Sequence, residues 1–519
     1  MLRTPRSALA LLALWTLGAA APAGAASGYG SALPRFALFG WASPPRESTT
    51  VERYAELAAT GFNVTLTALG ETGTWTDNLL RLDVTRPFGL QNLLLDNDLD
   101  SVSTSRPSSL ALADTIVARY IGDPAFLGYY LGDEPPASSF PRLGEWFEIL
   151  RARDPSHPAW NSLLPRGAFD TAEGFRGYVQ QYVDATHPAV LCNYQYDFQV
   201  TGDTNLLTEN VATLGAIARA DGIPFWGVVQ LEEHWHYRHV TEGMLRWQIA
   251  QWLAGGALGI GYFTYWTPEG VPGQVWEPAM IEWGTGERTP YYDMVTALNA
   301  RLGFLGNALA GLTWRATEHA GSVPPGGTPF TPDSVLTAVS GRATLGWFAG
   351  THGLTYLLLA NADSLSPRTV TLSLADGQAP SQQRDDGPRW DRLSADQDGR
   401  VELELEAGDF VLLRFPPRAA HTSVGPPPAG GALSLQITPN PARGPVRFAL
   451  AGVAGDARLD VLDLSGRVVW SRALPPDARE AMWSGERTRP GSAGSGVYFA
   501  RLRDARGSVV RRIAWLGPR

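Results

Sequence analysis

Between Phe36 and Trp266 the sequence changes period again and again, from short apolar runs of strand type to amphipathic stretches of helical type. Eight runs carry the strand pattern: Phe36–Trp41, Phe62–Ala68, Gln91–Leu95, Phe126–Leu131, Ala159–Leu163, Val190–Tyr194, Pro224–Val229 and Leu258–Tyr262. Segments such as Val51–Thr60, Ser109–Tyr120 and Phe140–Arg153 lie between them with a helical apolar face. Strands that alternate with helices build a parallel sheet under a helical layer, and eight such repeats predict a closed (β/α)₈ barrel over residues 27–312. The alternative is an open, doubly wound sheet. That fold ordinarily carries a Gly-rich turn after its first strand, and Gly40-Trp41-Ala42-Ser43 is not such a turn.

The flanking segments read differently. At the N-terminus, Arg3 and Arg6 precede an apolar run from Ala8 to Ala21 and the small residues Ala23-Gly24-Ala25. This order predicts a signal peptide over 1–26 and export from the cytoplasm. The run is shorter than the roughly 20 residues that span a bilayer, so no transmembrane segment is expected in the mature chain; a retained N-terminal anchor is the alternative. After the barrel, the period becomes that of alternating strands: Val335–Ala338, Ala343–Phe348, Thr355–Ala360, Thr369–Leu374, Val401–Leu405 and Phe410–Phe415. These predict a β-sandwich over 313–416. A Pro/Gly-rich linker follows over 417–432, and then a second all-β unit over 433–519.

Composition closes several function classes. Apolar residues make up 44% and charged residues 18%, which describes a globular chain with ample core. The net charge of −9 argues against a nucleic-acid partner. The single cysteine, Cys192, allows neither an intramolecular disulfide nor a Cys-rich metal site. All 42 basic residues are Arg. Without lysine, Schiff-base chemistry, pyridoxal-phosphate attachment and a P-loop are impossible, and no cofactor is expected. The 18 Trp suit both clefts that stack on sugar rings and ordinary cores.

A barrel of this type places its active site at the C-terminal ends of its strands. Here those ends carry Trp41, Asp96 to Asp98, Asp133-Glu134, Asn161, Tyr196, Asp197, Gln230 through His236, and Tyr265-Trp266. Carboxylates, amides and aromatics serve proton transfer, hydroxyl binding and ring stacking in turn. The fourth strand runs Phe126-Leu127-Gly128-Tyr129-Tyr130-Leu131-Gly132-Asp133-Glu134-Pro135. It resembles the clan A-like glycoside hydrolase barrels whose fourth strand ends in Asn-Glu-Pro, with Asp133 standing where those have Asn. The resemblance implies that Glu134 is the general acid/base, because a glycosidic oxygen is a poor leaving group without a proton. In a regular strand Asp133 and Glu134 point to opposite faces. A helix N-cap pair ahead of Pro135 and Pro136 is the plainer account of both.

Glycoside hydrolysis also requires a second carboxylate. The resembling family places it at the end of strand seven, where this chain has Val229 and Gln230. Glu232 and Glu233 follow at once and are the preferred candidates, Glu233 ahead of Glu232. Asp98, Asp197 and Glu269 are the others. Substrate contacts are assigned to Asp133, Trp41, Asn161, Tyr196, Gln230, Tyr265 and Trp266. By the same resemblance Trp266 floors the sugar subsite, and an aromatic plug is the alternative for it and for Trp41. His234 and His236 with a glutamate offer a zinc site and hence a metal-dependent hydrolase, although the preferred expectation is no metal.

The last 87 residues contain Pro439-Asn440-Pro441, a hairpin from Leu459 to Val469 turning at Ser465-Gly466, Trp483, and Ser495-Gly496-Val497-Tyr498-Phe499. These resemble the C-terminal sorting domains of type IX secretion and the related FlgD-like immunoglobulin modules. The resemblance implies outer-membrane secretion machinery as a partner and a secreted or cell-surface location; a plain adhesion or spacer role is the alternative. The whole is expected to be a secreted, glycoside hydrolase-like enzyme with a carbohydrate substrate. The rival is a non-catalytic carbohydrate-binding barrel.

Overall fold

The computed structural model describes residues 33–67, 73–100, 106–269, 276–375, 379–416, 433–453, 456–464, 466–475, 478–486, 493–504 and 507–517. The expected signal peptide and the expected Pro/Gly-rich linker lie outside the described residues. The chain divides between Arg418 and Ala419 into two compact units.

The first unit begins with eight parallel strands: β1 (Ala37–Gly40), β2 (Val64–Leu66), β3 (Gln91–Leu94), β4 (Phe126–Asp133), β5 (Ala159–Ser162), β6 (Leu191–Tyr194), β7 (Phe225–Gln230) and β8 (Gly259–Phe263). Their order is β5-β4-β3-β2-β1-β8-β7-β6. A parallel bridge between Leu163 and Asn193 joins the two ends, with Leu163 N–H donating to the Cys192 carbonyl at 2.9 Å. The result is the (β/α)₈ barrel that the alternation predicts. Each observed strand lies within two residues of its expected limits, because apolar β-branched and aromatic runs between amphipathic helices have no other way to bury both faces.

The lumen is filled. Phe39, Trp41, Tyr130, Trp160, Trp226 and Cys192 form one inner cluster with Val64, Leu66, Leu93, Leu127 and Val228. So many large rings fit only because β8 is thin. A Cβ on Gly261 would lie 2.3 Å from the Phe39 ring, and one on Gly259 would lie 2.6 Å from Trp226. The lumen therefore excludes a ligand, and any site has to lie above it, at the mouth. The outward faces of the strands pack against helices including Val51–Ala59, Phe140–Arg153, Ala172–Thr186, Leu207–Asp221, Glu242–Ala254 and Pro290–Leu309.

Two antiparallel sheets follow in the same unit. One has three strands, Leu336–Ser340, Arg368–Leu374 and Arg400–Leu405; the other has six and includes Thr313–Ala320, Ala343–Ala349, Thr355–Asn361 and Phe410–Phe415. Val401, Leu403 and Leu405 point inward between exposed neighbours, the period-two pattern of a sheet with one face in a core. The opposite face of the six-stranded sheet carries Phe348, Leu358, Phe410 and Leu412 into the outer core of the barrel. Sandwich and barrel thus share a core. The short strands Ser381–Gln383 and Trp390–Arg392 have no sequence counterpart, since three residues cannot display a period.

The second unit has a three-stranded sheet and a four-stranded sheet, both antiparallel, around Leu435, Phe448, Leu459, Trp483, Leu502, Ile513 and Trp515. The Pro439-Asn440-Pro441 motif has a local role here. Asn440 donates from its amide to the Arg512 carbonyl at 2.7 Å and accepts from Ala514 N–H at 2.8 Å, fastening the start of the unit to its final strand. Among the described residues no helix is long and apolar enough to cross a membrane.

Candidate active site

The end of β4 departs from regular strand geometry. The β4–β5 register shifts between Tyr130 and Asp133. Gly132 has φ 99°, which favours glycine, and Glu134 has φ 48°. The irregular end is held by three bonds. Asn161 donates its side-chain amide to the Gly132 carbonyl at 2.9 Å, Glu134 N–H donates to the Ser162 carbonyl at 2.9 Å, and the Tyr178 hydroxyl donates to the Pro135 carbonyl at 2.8 Å. A strained backbone persists where its surroundings over-determine it.

The irregularity turns both acids toward the mouth. Burial raises the phenols of Tyr130, Tyr194 and Tyr196, and the charges of both Asp133 and Glu134 raise them further. This corrects the expectation that the two acids occupy opposite faces, which holds only for a regular strand. The Asp133 carboxyl is reached by solvent yet ringed by protein. Loss of hydration there, and the charge of Glu134 beside it, push it up to about 7 against a small opposing effect of Ser162. The half-buried Glu134 carboxylate accepts a hydrogen bond from the hydroxyl of Tyr194, at the end of β6.

The β6–β8 side of the mouth is an aromatic wall. Tyr194 and Tyr196 rings lie 4.7 Å apart, and Tyr196 contacts Tyr237 at 5.3 Å and Phe263 at 5.9 Å. His234 stacks on Trp276 at 5.0 Å with planes 12° apart, and Trp235, 56% exposed, packs edge-on against Trp276. Tyr237 is half-buried, and the charge of Glu134 adds to burial in raising its phenol. Tyr194, Tyr237, Phe263 and Trp276 were not singled out from sequence. Asn193-Tyr194 is visible as a polar strand end, but its reach to Glu134 depends on the barrel's curvature.

The other sequence candidates have individual fates. Glu232 is fully buried; it accepts from the Thr264 hydroxyl at 2.8 Å through one oxygen, and the other is buried without a partner. Burial pushes it up to about 8, so it is mainly protonated at neutral pH. Glu233 lines a cleft of about 600 Å³ together with Glu277, Glu282, Glu287 and Tyr291, and Asp133, Glu134 and Tyr194 are not part of its lining. Asp98 pairs with Arg119 at 2.7 Å. Asp197 accepts from the backbone N–H groups of Leu206 and Leu207 and from Thr204, capping the helix Leu207–Asp221. Glu269 is exposed beyond β8.

Trp41 belongs to the lumen, edge-on to Tyr130 at 6.2 Å, where it forms the floor beneath the mouth. Tyr196 is buried within the aromatic wall. Gln230 is buried, donating its side-chain amide to the Arg238 carbonyl at 2.8 Å and so pinning the loop after β7. Tyr265 and Trp266 belong to the outer core, Tyr265 against Phe62 and Trp266 beneath the guanidinium of Arg53. The ring at the β8 side of the mouth is Phe263. Burial lowers His234 to about 4, leaving it neutral. Its Nδ1 therefore carries a proton to the Glu232 carbonyl, 2.9 Å away. Among the described residues no three His, Cys, Asp or Glu side chains converge to hold a metal ion.

No family model matches this chain, and no curated protein matches it. Solved structures do resemble it. A β-galactosidase from the psychrophilic Marinomonas ef1 is 11% identical, with a TM-score of 0.39 over 53% of this chain and 62% of that one. A glucosidase from Croceicoccus marinus is 10% identical, with a TM-score of 0.38 over 73% of this chain and 95% of that one. A glycoside hydrolase family 5 mannosidase from Rhizomucor miehei is 10% identical, with a TM-score of 0.39 over 55% and 98%. This chain thus spans 62% of the length of the galactosidase.

Proposed function

We propose that the barrel hydrolyses glycosidic bonds in an oligo- or polysaccharide, with Glu134 as the proton donor to the leaving oxygen. One observation carries this: Asp133 and Glu134 stand together at the mouth end of β4, one open to solvent and pushed toward neutrality, the other held by Tyr194, opposite a wall of aromatic rings. Paired carboxyls in a crowded cleft supply acid–base chemistry, and the exposed ring faces of Trp235 and its neighbours suit the C–H faces of sugars. The test is a broad panel of unactivated oligosaccharides offered to the wild type and to Glu134→Gln. Cleavage by the wild type, lost in the variant while binding persists, supports the proposal; full activity in Glu134→Gln would sink it.

A second reading, a carbohydrate-binding barrel without catalysis, draws on the buried Gln230 and Glu232 at the place where a second carboxylate is expected. Binding in the mouth without cleavage of any panel member would establish it.

We further propose that the chain is exported through residues 1–26 and that residues 433–519 engage outer-membrane secretion machinery. Deleting 433–519 is then expected to strand the protein in the periplasm. Unchanged release would leave the unit as an adhesion module or spacer.

A further inference from the structure

Hydrolysis at an anomeric carbon needs two things: a proton for the departing oxygen and an electron pair for the carbon from the opposite face. Glu134 supplies the first. The second has no evident donor in the protein among the described residues. Glu232 is sealed against Thr264, Glu233 lines a cleft of its own, Asp98 is paired with Arg119, and Asp197 caps a helix. Asp133 is the carboxyl that shares the mouth with Glu134. It is the preceding residue on the same strand end, and consecutive Cα atoms are about 3.8 Å apart. Two carboxyls so placed approach a sugar from one side and cannot straddle its anomeric carbon.

What lies beside a proton donor at C1 is the substituent on C2. We infer that the substrates are glycosides of 2-acetamido sugars with the C2 group trans to the leaving group, and that the substrate's own acetamido oxygen is the nucleophile, oriented by Asp133. This rests on the glycosidase proposal above and names its substrate class. Glu134 gives its proton to the glycosidic oxygen as the bond from C1 to that oxygen breaks. The acetamido carbonyl oxygen closes on C1 from the other face and forms a five-membered oxazolinium ring. Positive charge develops on the nitrogen, and its N–H donates to the Asp133 carboxylate. In the second half Glu134 takes a proton from water, the water oxygen bonds to C1, and the ring opens to restore the acetamide. The products are an alcohol and a sugar of retained configuration, with every proton accounted for. A carboxyl whose proton is balanced near neutrality, in a site that solvent reaches, suits Asp133 to respond as this charge appears and disappears. The half-buried rings of Tyr237 and Phe263 on the aromatic wall offer apolar surface to the acetamido methyl.

The full chain is offered nitrophenyl β-glycosides of N-acetylglucosamine and N-acetylgalactosamine, the matching glucoside and galactoside, and N-trifluoroacetyl analogues. The acetamido substrates are expected to have kcat/KM at least about 100-fold above their hydroxyl counterparts, as an internal nucleophile does over an external one. Trifluoroacetyl substrates should be slower than acetyl ones by about tenfold or more, because fluorine drains the carbonyl oxygen. Asp133→Asn should lose about 100-fold on acetamido substrates with its circular dichroism unchanged. Equal or better cleavage of the glucoside or galactoside, or no fluorine effect, overturns this inference and leaves the glycosidase proposal standing. Cleavage of neither class, nor of the oligosaccharide panel, overturns both.

Discussion

Two acidic pairs stand at the barrel's C-terminal end, Asp133-Glu134 at the end of β4 and Glu232-Glu233 after β7, and the fold treats them in opposite ways. At β4 the register shift and Gly132 break the strand's alternation, and both carboxyls raise the same phenols at the mouth. At β7 the strand stays regular to Gln230, the Leu231 and Glu232 N–H groups donate to the Phe263 carbonyl, and the first acid is drawn into the protein while the second enters another cleft. A pair of adjacent carboxylates in sequence is thus a statement about chemistry available, and the backbone decides where it is delivered. Strand irregularities of this kind re-aim side chains next to active sites.

The sharpest test of that contrast is Glu134→Gln. The amide keeps the shape but cannot donate a proton to the leaving oxygen, so turnover on unactivated glycosides should fall by about 10²–10⁴-fold. Substrates with a good leaving group should lose less in the bond-breaking step. A uniform loss across leaving groups would show that Glu134 does something other than protonate.

Tyr194→Phe comes next. It removes the hydroxyl that donates to Glu134 and leaves the ring against Tyr196. A hydrogen bond to a charged group contributes about 1.5–3 kcal/mol, so kcat should fall by about 10- to 150-fold with KM little changed. An unchanged kcat would detach Tyr194 from the chemistry.

The β7 pair should answer to stability before activity. The folded state raises Glu232 from its ordinary 4.5 to about 8. Between these values the folded protein holds a proton that the unfolded chain releases, so the stability contributed by this group is fully present below about 4.5 and is lost as pH rises toward 8, by at most about 1.4 kcal/mol per pH unit. Glu232→Gln keeps a partner for Thr264 and removes the titration. Its melting temperature should change less between pH 5 and pH 8 than that of the wild type; parallel profiles would place the buried proton elsewhere. Glu233→Gln should have the smallest effect, with kcat within about twofold of wild type. A loss as deep as that of Glu134→Gln would instead make Glu233 the missing second carboxylate and erase the contrast.

Much of this molecule is legible without coordinates. The eight barrel strands follow from where apolar runs begin and stop: the expected Pro224–Val229 run and the observed Phe225–Gln230 strand differ by one residue at each end. Alternating burial at Val401, Leu403 and Leu405 is equally plain in the sequence. Trp266 is the opposite case. An aromatic at the end of β8 suggests a sugar platform, yet Trp266 packs under Arg53 and Phe263 takes the mouth. Nothing local distinguishes the two rings, because both are large, apolar and at the same strand end.

The sequence by itself determined which chemistry is possible: a parallel barrel from its periodicity, no lysine-dependent catalysis, and a carboxyl pair at the fourth strand's C-terminal end. These are properties of composition and of patterns repeated over many residues, and burial free energy summed over a strand or helix enforces them. Only the tertiary structure decided that Asp133 and Glu134 converge, that Tyr194 reaches across from β6, and that Glu232 is sealed inside. Those outcomes depend on a few dihedral angles at Gly132 and Glu134, and on contacts between residues as distant in the chain as Glu134 and Tyr194 or Glu232 and Thr264. A reversal of one residue's direction costs only about 1–3 kcal/mol, an amount a three-dimensional neighbourhood can overrule and a one-dimensional pattern cannot register.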